Sequence, residues 1–71
     1  MENLISLTDV SKNMKTARLR AGYTQEQAAA KLGTSRMTVH NWEKDPGGLG
    51  FDKWQKLAQL YGVSVSYFFG L

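Results

Sequence analysis

The segment after Ser35 carries two side chains that can each form a pair of hydrogen bonds. The guanidinium of Arg36 offers two parallel N–H donors, and the amide of Asn41 offers one donor beside one acceptor. In a helix these two positions share one face, whereas Val39 and Trp42 lie on the opposite face. The paired donors of arginine match O6 and N7 of guanine, and the amide of asparagine matches N6 and N7 of adenine. The chemistry predicted for this face is hydrogen bonding to base edges.

Met37 and His40 belong to the same predicted face. Methionine cannot form a strong hydrogen bond, but its side chain can cover the methyl group of a thymine. We expect His40 to be exposed or to lie near a phosphate, and not to bind a metal. The alternative for this face is that Arg36 is an ordinary solvated arginine and Asn41 an ordinary surface amide.

Two short helices joined by one tight turn are predicted to position this face. The first spans about residues 25–32, because Thr24 and Gln27 form a capping-box pattern. The second spans about residues 36–44, with Ser35 as its N-cap. The first peptide N–H groups of a helix have no partner within it and carry partial positive charge, which suits a phosphate.

Three further helices are predicted around this pair, and no segment has the alternation of a strand. Apolar residues recur at helical spacing over about residues 9–21, where Thr8 supplies the N-cap, and over about residues 51–61. A short helix capped by Ser64 spans about residues 65–69. The stripe of the first helix consists of Val10, Met14, Ala17 and Ala21.

The fold class that follows is all-α, a compact five-helix bundle in a single domain over residues 1–71. Residues 1–7 are expected to form a flexible lead-in, and residues 45–50 a loop. The large aromatic residues Trp42, Phe51 and Trp54 are expected in the core.

The composition excludes several classes of function. The chain has 71 residues, no cysteine and one histidine, which argues against a disulfide framework or a metal cluster. No apolar run reaches the ~20 residues of a membrane span, and the N-terminus lacks the pattern of a secretory leader. We expect a cytoplasmic protein with no cofactor, metal, membrane or small-molecule ligand. No activated nucleophile, carboxylate pair or phosphate-binding glycine motif indicates an enzyme.

Short motifs along the chain resemble the lambda-repressor-like helix-turn-helix family, also called the XRE or Cro type. The resemblance covers about residues 10–70, with the helix-turn-helix at about residues 24–44. It implies the five-helix fold and sequence-specific binding of double-stranded DNA, as in small phage regulators. The motifs at the family's spacing are Met14-Lys15-Thr16-Ala17-Arg18, Gly22-Tyr23-Thr24-Gln25, Ala28-Ala29, Leu32-Gly33, Asn41-Trp42-Glu43, Lys56-Leu57-Ala58 and Leu60-Tyr61-Gly62-Val63-Ser64.

The resemblance, taken with the residue chemistry, also predicts roles. Arg18 and Glu43 would form an internal ion pair between the first helix and the end of the third. Gln25 would lie over a phosphate, or would serve only the local geometry of its helix. Base contacts are predicted from Ser35, Arg36, Met37, His40 and Asn41. Phosphate contacts are predicted from Thr24, Gln25, Thr34 and Lys44.

Two regions depart from the family pattern. Family members often carry cations in the loop after the third helix, but residues 47–50 hold none and Asp45 is negative. Fewer phosphate contacts would lower the affinity and the salt dependence of DNA binding. The C-terminal end is unusually aromatic, and a surplus apolar patch marks an interface. The alternative is that these residues, Phe68 above all, complete the core. The residues predicted for a dimer or partner interface are Tyr61, Tyr67, Phe69 and Leu71.

The net charge of +3 and the pI near 9.5 permit nucleic-acid binding without requiring it. The first hypothesis is therefore a regulator that reads an operator half-site and pairs with a second copy on DNA. The second is an antirepressor or modulator of the same fold that binds another repressor protein, instead of DNA or in addition to it. Fold alone does not separate the two.

Overall fold

The computed structural model describes residues 6–71, and within them every regular element is helical. Helix α1 spans Leu7–Arg20, α2 Gln25–Leu32, α3 Arg36–Lys44, α4 Phe51–Tyr61 and α5 Val65–Phe68. A 3-10 turn, Pro46–Gly48, lies in the loop between α3 and α4. The predicted all-α fold is confirmed. Within residues 6–71, no helix has the length and hydropathy of a membrane span.

The start of α1 differs from the prediction. The helix begins at Leu7, and the peptide N–H of Val10 donates to the carbonyl of Ser6 over 3.0 Å. Ser6 is therefore the N-cap, and Thr8, the predicted cap, lies within the first turn. Ser6 and Leu7 belong to the helix and its cap, while residues 1–5 of the predicted lead-in lie outside the described residues.

The other end of the chain also differs slightly. Helix α5 ends at Phe68, one residue before the predicted end. The hydroxyl of Ser64, the predicted cap, lies 2.9 Å from the hydroxyl of Ser66 and accepts no N–H from the helix. The amide Nδ2 of Asn13 donates to the carbonyl of Phe68 over 3.0 Å, which fastens α5 to α1.

The caps of α2 and α3 form as predicted. The hydroxyl of Thr24 accepts from the N–H of Gln27 over 3.0 Å, and the Gln27 side chain accepts from the N–H of Thr24 over 2.9 Å. Gly33 ends α2 with a φ of 72°, a left-handed conformation that glycine adopts without strain. The hydroxyl of Ser35 accepts from the N–H of Thr38 over 3.2 Å at the start of α3. These caps fix the ends of the two helices on either side of the turn.

The core lies between α1, α2, α4 and α5. Trp54 belongs to this core, and its ring centroid lies 5.2 Å from that of Phe68 and 5.0 Å from that of Phe69. Of the other two aromatics predicted for the core, Trp42 is half-buried and packs against it, whereas Phe51 is 65% exposed at the first position of α4. The buried residues of this cluster are Val10, Met14, Ala17, Ala28, Trp54, Leu57, Ala58, Tyr61 and Phe68.

Ala21 was predicted to continue the apolar stripe of α1, but it is exposed. Ala21 is the C-cap of α1 and keeps a helical backbone, with its N–H donating to the carbonyl of Ala17 over 3.0 Å, so the stripe continues to the exposed end of the helix. The prediction of Phe51 as a core residue is also wrong. Helical spacing places it three residues before Trp54, but Phe51 lies in the first turn of α4, at an exposed end of that helix.

Candidate nucleic-acid interface

Helix α3 presents one polar face to solvent and anchors the other in the domain. Val39 is 1% exposed and Glu43 is buried, whereas Trp42 beside them is half-buried. The side chain of Met37 is 57% exposed although it is apolar. The exposed side chains of α3 are Arg36, Met37, His40, Asn41 and Lys44. The outward orientation required for base contacts is therefore present, while the contacts themselves stay a prediction.

The turn before α3 carries two of the predicted contact residues. Ser35 is exposed, but its hydroxyl is engaged in capping and lies 2.9 Å from the hydroxyl of Thr38. Thr34 is half-buried, and its N–H donates to the carbonyl of Ala29 over 2.9 Å. The hydroxyl of Thr34 makes no hydrogen bond within residues 6–71.

A buried ion pair joins α1 to the end of α3, as the resemblance implies. The guanidinium of Arg18 donates from Nε to Oε2 of Glu43 over 2.6 Å and from Nη2 to Oε1 over 3.2 Å. The two side chains are only 6% and 7% exposed. Nη1 of Arg18 also donates to the carbonyl of Tyr23 over 2.8 Å, just after α1 ends. Paired charge-assisted bonds of this kind fix orientation as well as distance.

Gln25, the first residue of α2, extends this pair toward the exposed face. Its amide Nε2 donates to Oε1 of Glu43 over 3.1 Å and lies 3.5 Å from Nδ1 of His40. The side chain is half-buried. Its amide N–H groups are thus already directed at protein atoms. A phosphate at the start of α2 would instead meet the peptide N–H groups of Gln25 and Glu26, which donate to no acceptor within residues 6–71.

A shallow surface depression of about 730 Å³ lies between the end of α1 and the start of α2. Sequence reasoning gave no role to Lys15, a cation that lines it and lies one helical turn before Arg18. That spacing was the signal that could have identified it, because residues three apart share a helix face. The depression connects the start of α2 with the first turn of α3. Its lining includes Lys15, Thr24, Gln25 and Arg36.

The loop after α3 is built without cations. The side chain of Asp45 accepts from the N–H of Gly47 over 3.4 Å, and Pro46 is buried at the start of the 3-10 turn. Lys44, at the end of α3, is exposed beside it. Residues 6–71 contain no group of three side chains that could hold a metal ion.

The C-terminal residues divide into core and surface. Tyr61 is only 6% exposed, so its prediction as an interface residue is wrong: its ring fills the core beside Tyr23, at a centroid distance of 6.3 Å. Phe68, for which core and surface were both open, is fully buried. Tyr67 and Phe69 are half-buried, and Leu71 is 85% exposed.

The hydroxyl of Tyr61 is a buried polar group without a hydrogen-bond partner in residues 6–71. Burial raises the pKa of its phenol to about 12, and the nearby carboxylate of Glu43 adds to the shift while the guanidinium of Arg18 opposes it. The aromatic core therefore approaches the ion pair at this point.

Comparison with known proteins agrees with this geometry. The family model described as "Helix-turn-helix" matches residues 14–68. The HTH-type transcriptional regulator ImmR of Bacillus subtilis (strain 168) is 41% identical over 61 residues, which is 86% of this chain and 48% of that protein. The chain thus spans about half the length of that relative.

A second relative is the antitoxin HipB of Escherichia coli (strain K12). It is 28% identical over 65 residues, which is 92% of this chain and 74% of HipB. HipB of strain CFT073 matches over the same length, at 28% identity and 69% coverage of that protein. The chain belongs to the lambda-repressor-like, XRE-type helix-turn-helix family of DNA-binding transcriptional regulators.

Proposed function

We propose that this chain binds double-stranded DNA sequence-specifically and regulates transcription, with α3 in the major groove of an operator half-site. The observation that carries the proposal is the two-faced character of α3. Arg36 and Asn41 are exposed, while Val39 and Glu43 hold the helix from its other side. A recognition helix needs both properties, because base readout requires side chains that reach out from a fixed axis. The name of the ImmR relative, a transcriptional regulator, supports the same function.

The phosphate backbone on one side of the groove is proposed to cross the depression at the start of α2. Peptide N–H groups of Gln25 and Glu26 and the cation of Lys15 would contact it there. Lys44 would contact the phosphate backbone of the opposite strand. Few other cations would join it there, because the loop after α3 contains no lysine or arginine. The remaining predicted phosphate contacts are those of Thr24 and Thr34.

Two copies would read a palindromic operator, with half-sites about 34 Å apart. The C-terminal surface formed by the half-buried Tyr67 and Phe69 and the exposed Leu71 is the proposed contact between them. Bound at a promoter, such a pair would repress by blocking polymerase or a rival repressor. This action would take place on DNA in the bacterial cytoplasm.

Selection of sites from a random-sequence duplex pool would test the function. We expect a selected site to bind far more tightly than random duplex at physiological salt. Arg36→Ala and Asn41→Ala should each weaken binding to the selected site by about tenfold to hundredfold. The matched controls are Arg20→Ala and Gln59→Ala, which remove an exposed guanidinium on α1 and an exposed amide on α4.

Salt dependence gives a second readout. The slope of log affinity against log salt should correspond to few phosphate contacts, at about 0.9 per phosphate. Binding that is equally tight on selected and random duplexes would overturn the proposal. So would full specific affinity in the Arg36→Ala/Asn41→Ala double variant.

A second candidate function is binding to another regulatory protein. The observation that favours it is the exposed side chain of Met37 in the middle of the polar face, at 57% exposure. Flexible methionine side chains adapt to protein surfaces. Two relatives are named antitoxin, which gives this alternative some support. Met37→Gln should abolish co-purification of a partner repressor if this function holds, and leave random-duplex binding unchanged.

A further inference from the structure

We propose that Gln25 holds neutral His40 in the tautomer that carries its proton on Nε2, so that His40 meets DNA only as a hydrogen-bond donor. Its target would then be an acceptor atom, either N7 or O6 of a purine, O4 of a thymine, or a phosphate oxygen. The proposal rests on the proposed DNA-binding function for its target, but the tautomer itself is a property of the free protein.

The first step is the orientation of the Gln25 amide. Glu43 is held on one side by two hydrogen bonds from the guanidinium of Arg18, at 2.6 and 3.2 Å. Its Oε1 also accepts from Nε2 of Gln25 over 3.1 Å. The flipped amide would place Oε1 of Gln25 against this carboxylate oxygen, and two acceptors at that distance repel. The buried ion pair therefore determines which end of the amide faces inward.

The second step is the consequence for His40. The same Nε2 of Gln25 lies 3.5 Å from Nδ1 of His40, at the long end of hydrogen-bond distances. An amide N–H directed at Nδ1 requires a lone pair there, because a proton on Nδ1 would set two donors against each other. A neutral imidazole with a lone pair on Nδ1 carries its proton on Nε2. The partner of one ring nitrogen thus sets the state of the other.

The third step is the position of the free ring nitrogen. His40 is exposed and lies on the outward face of α3, one turn after Arg36 and directly before Asn41. Because Nδ1 faces Gln25, the Nε2–H group is the ring donor that remains available to DNA. A donor fixed in this way donates to purine N7 or O6 and disfavours the amino groups of adenine and cytosine, which are themselves donors. His40 would therefore add discrimination that neither the arginine nor the asparagine supplies.

Nuclear magnetic resonance of the free protein tests the tautomer directly. Because the chain has one histidine, its two ring nitrogens are assigned without ambiguity. At alkaline pH we expect Nδ1 to resonate as a pyridine-type nitrogen and Nε2 as a pyrrole-type nitrogen. Gln25→Met should move both resonances toward those of a free histidine peptide, while the control Gln59→Met should move neither. A pyrrole-type Nδ1, or no response to Gln25→Met in a folded protein, would overturn the proposal.

Modified operators test the donor role. With a selected duplex, His40→Ala should lose about threefold to tenfold in affinity. Replacing one purine by its 7-deaza analogue should remove that loss if the acceptor is N7, and one neutral methylphosphonate should remove it if the acceptor is a phosphate. Gln25→Met should lose affinity on normal DNA but lose nothing further in the His40→Ala background.

The outcomes separate the two proposals. If no duplex is bound specifically, the proposed function fails, and the ring-nitrogen measurement still decides the tautomer. If specific binding is found but His40→Ala binds every duplex as the wild type does, the donor role is wrong and the DNA-binding function stands.

Discussion

The two ends of the molecule are held together by different forces. At the end that carries α3, Arg18, Glu43 and Gln25 form a chain of hydrogen bonds of 2.6–3.2 Å. At the other end, Trp54 packs against Phe68 and Phe69 with centroid distances of 5.0–5.2 Å. Asn13 supplies a single side-chain bond there, to the carbonyl of Phe68.

The two ends differ in what they supply, because one kind of interaction is directional and the other is not. Apolar burial is non-directional and scales with area, so the aromatic end can hold the domain together without setting a precise angle. Charge-assisted hydrogen bonds have narrow geometry, so the polar end can direct α3. Variants at the aromatic end should therefore change mainly the free energy of unfolding, and variants at the polar end should also change the orientation of α3.

The largest effect is expected from Phe68→Ala at the aromatic end. Its side chain is fully buried, so truncation should lower the free energy of unfolding by about 3–5 kcal/mol. Urea denaturation followed by circular dichroism would measure this. Phe51→Ala, at 65% exposure, is the control and should change stability by less than about 0.5 kcal/mol. If both variants lost the same free energy of unfolding, burial at the aromatic end would not be the main source of stability.

A comparable but smaller effect is expected from Glu43→Gln at the polar end. The change leaves the buried guanidinium of Arg18 without its counter-charge, which should cost about 3 kcal/mol. The exposed acid Glu26 provides the control, since Glu26→Gln should be nearly neutral. If unfolding of Glu43→Gln matched that of the wild type, the ion pair would orient α3 without stabilising the domain.

The boundary between the two ends is tested by Tyr61→Phe. The folded pKa of about 12 lies above the ordinary value of 10, so the stability linked to the protonated phenol is present below pH 10 and is lost between about pH 10 and 12. At pH 8 we expect the variant within about 1 kcal/mol of the wild type. At pH 11 the stability of the variant relative to the wild type should be about 1 kcal/mol higher than at pH 8, because the variant has no phenol to ionise on unfolding.

Paired urea titrations at the two pH values would measure that difference. Lysine titration affects both proteins alike, so it cancels in the comparison. A constant difference between pH 8 and pH 11 would show that the Tyr61 phenol ionises as readily in the folded protein as in the unfolded chain.

The smallest effect on stability is expected from Leu71→Asn. At 85% exposure the side chain contributes little to the core, so unfolding should change by less than about 0.5 kcal/mol. Self-association measured by sedimentation equilibrium should nevertheless weaken if this surface joins two copies. Leu19→Asn, on α1 at 57% exposure, is the control. An unchanged association constant would exclude Leu71 from the interface.

Local sequence signals were sufficient for the elements that carry the site. The bounds of α2, α3 and α4 agree with the prediction because their ends bear strong signals, such as the capping box of Thr24 and Gln27. The start of α1 was wrong because Ser6 and Thr8 are both acceptable cap residues, and only the observed bond from Val10 distinguishes them.

Long-range geometry could not be predicted in the same way. Helical spacing placed Phe51 and Trp54 on one stripe, but it does not say how far the neighbouring elements extend over that stripe. The contacts of Gln25 join residues 15 and 18 positions apart in different helices, so no local pattern encodes them. The aromatic C-terminus indicated surplus apolar surface, but which rings turn inward depends on packing.

The bond between Asn13 and the carbonyl of Phe68 joins positions 55 residues apart. Because Phe68 itself is fully buried against the first and fourth helices, the interior cannot close until position 68 has been synthesised. During synthesis on the ribosome, the first and fourth helices would not complete their packing until then. Termination of synthesis before position 68 would yield a polypeptide with an unfilled interior, and quality-control proteases would be expected to remove it.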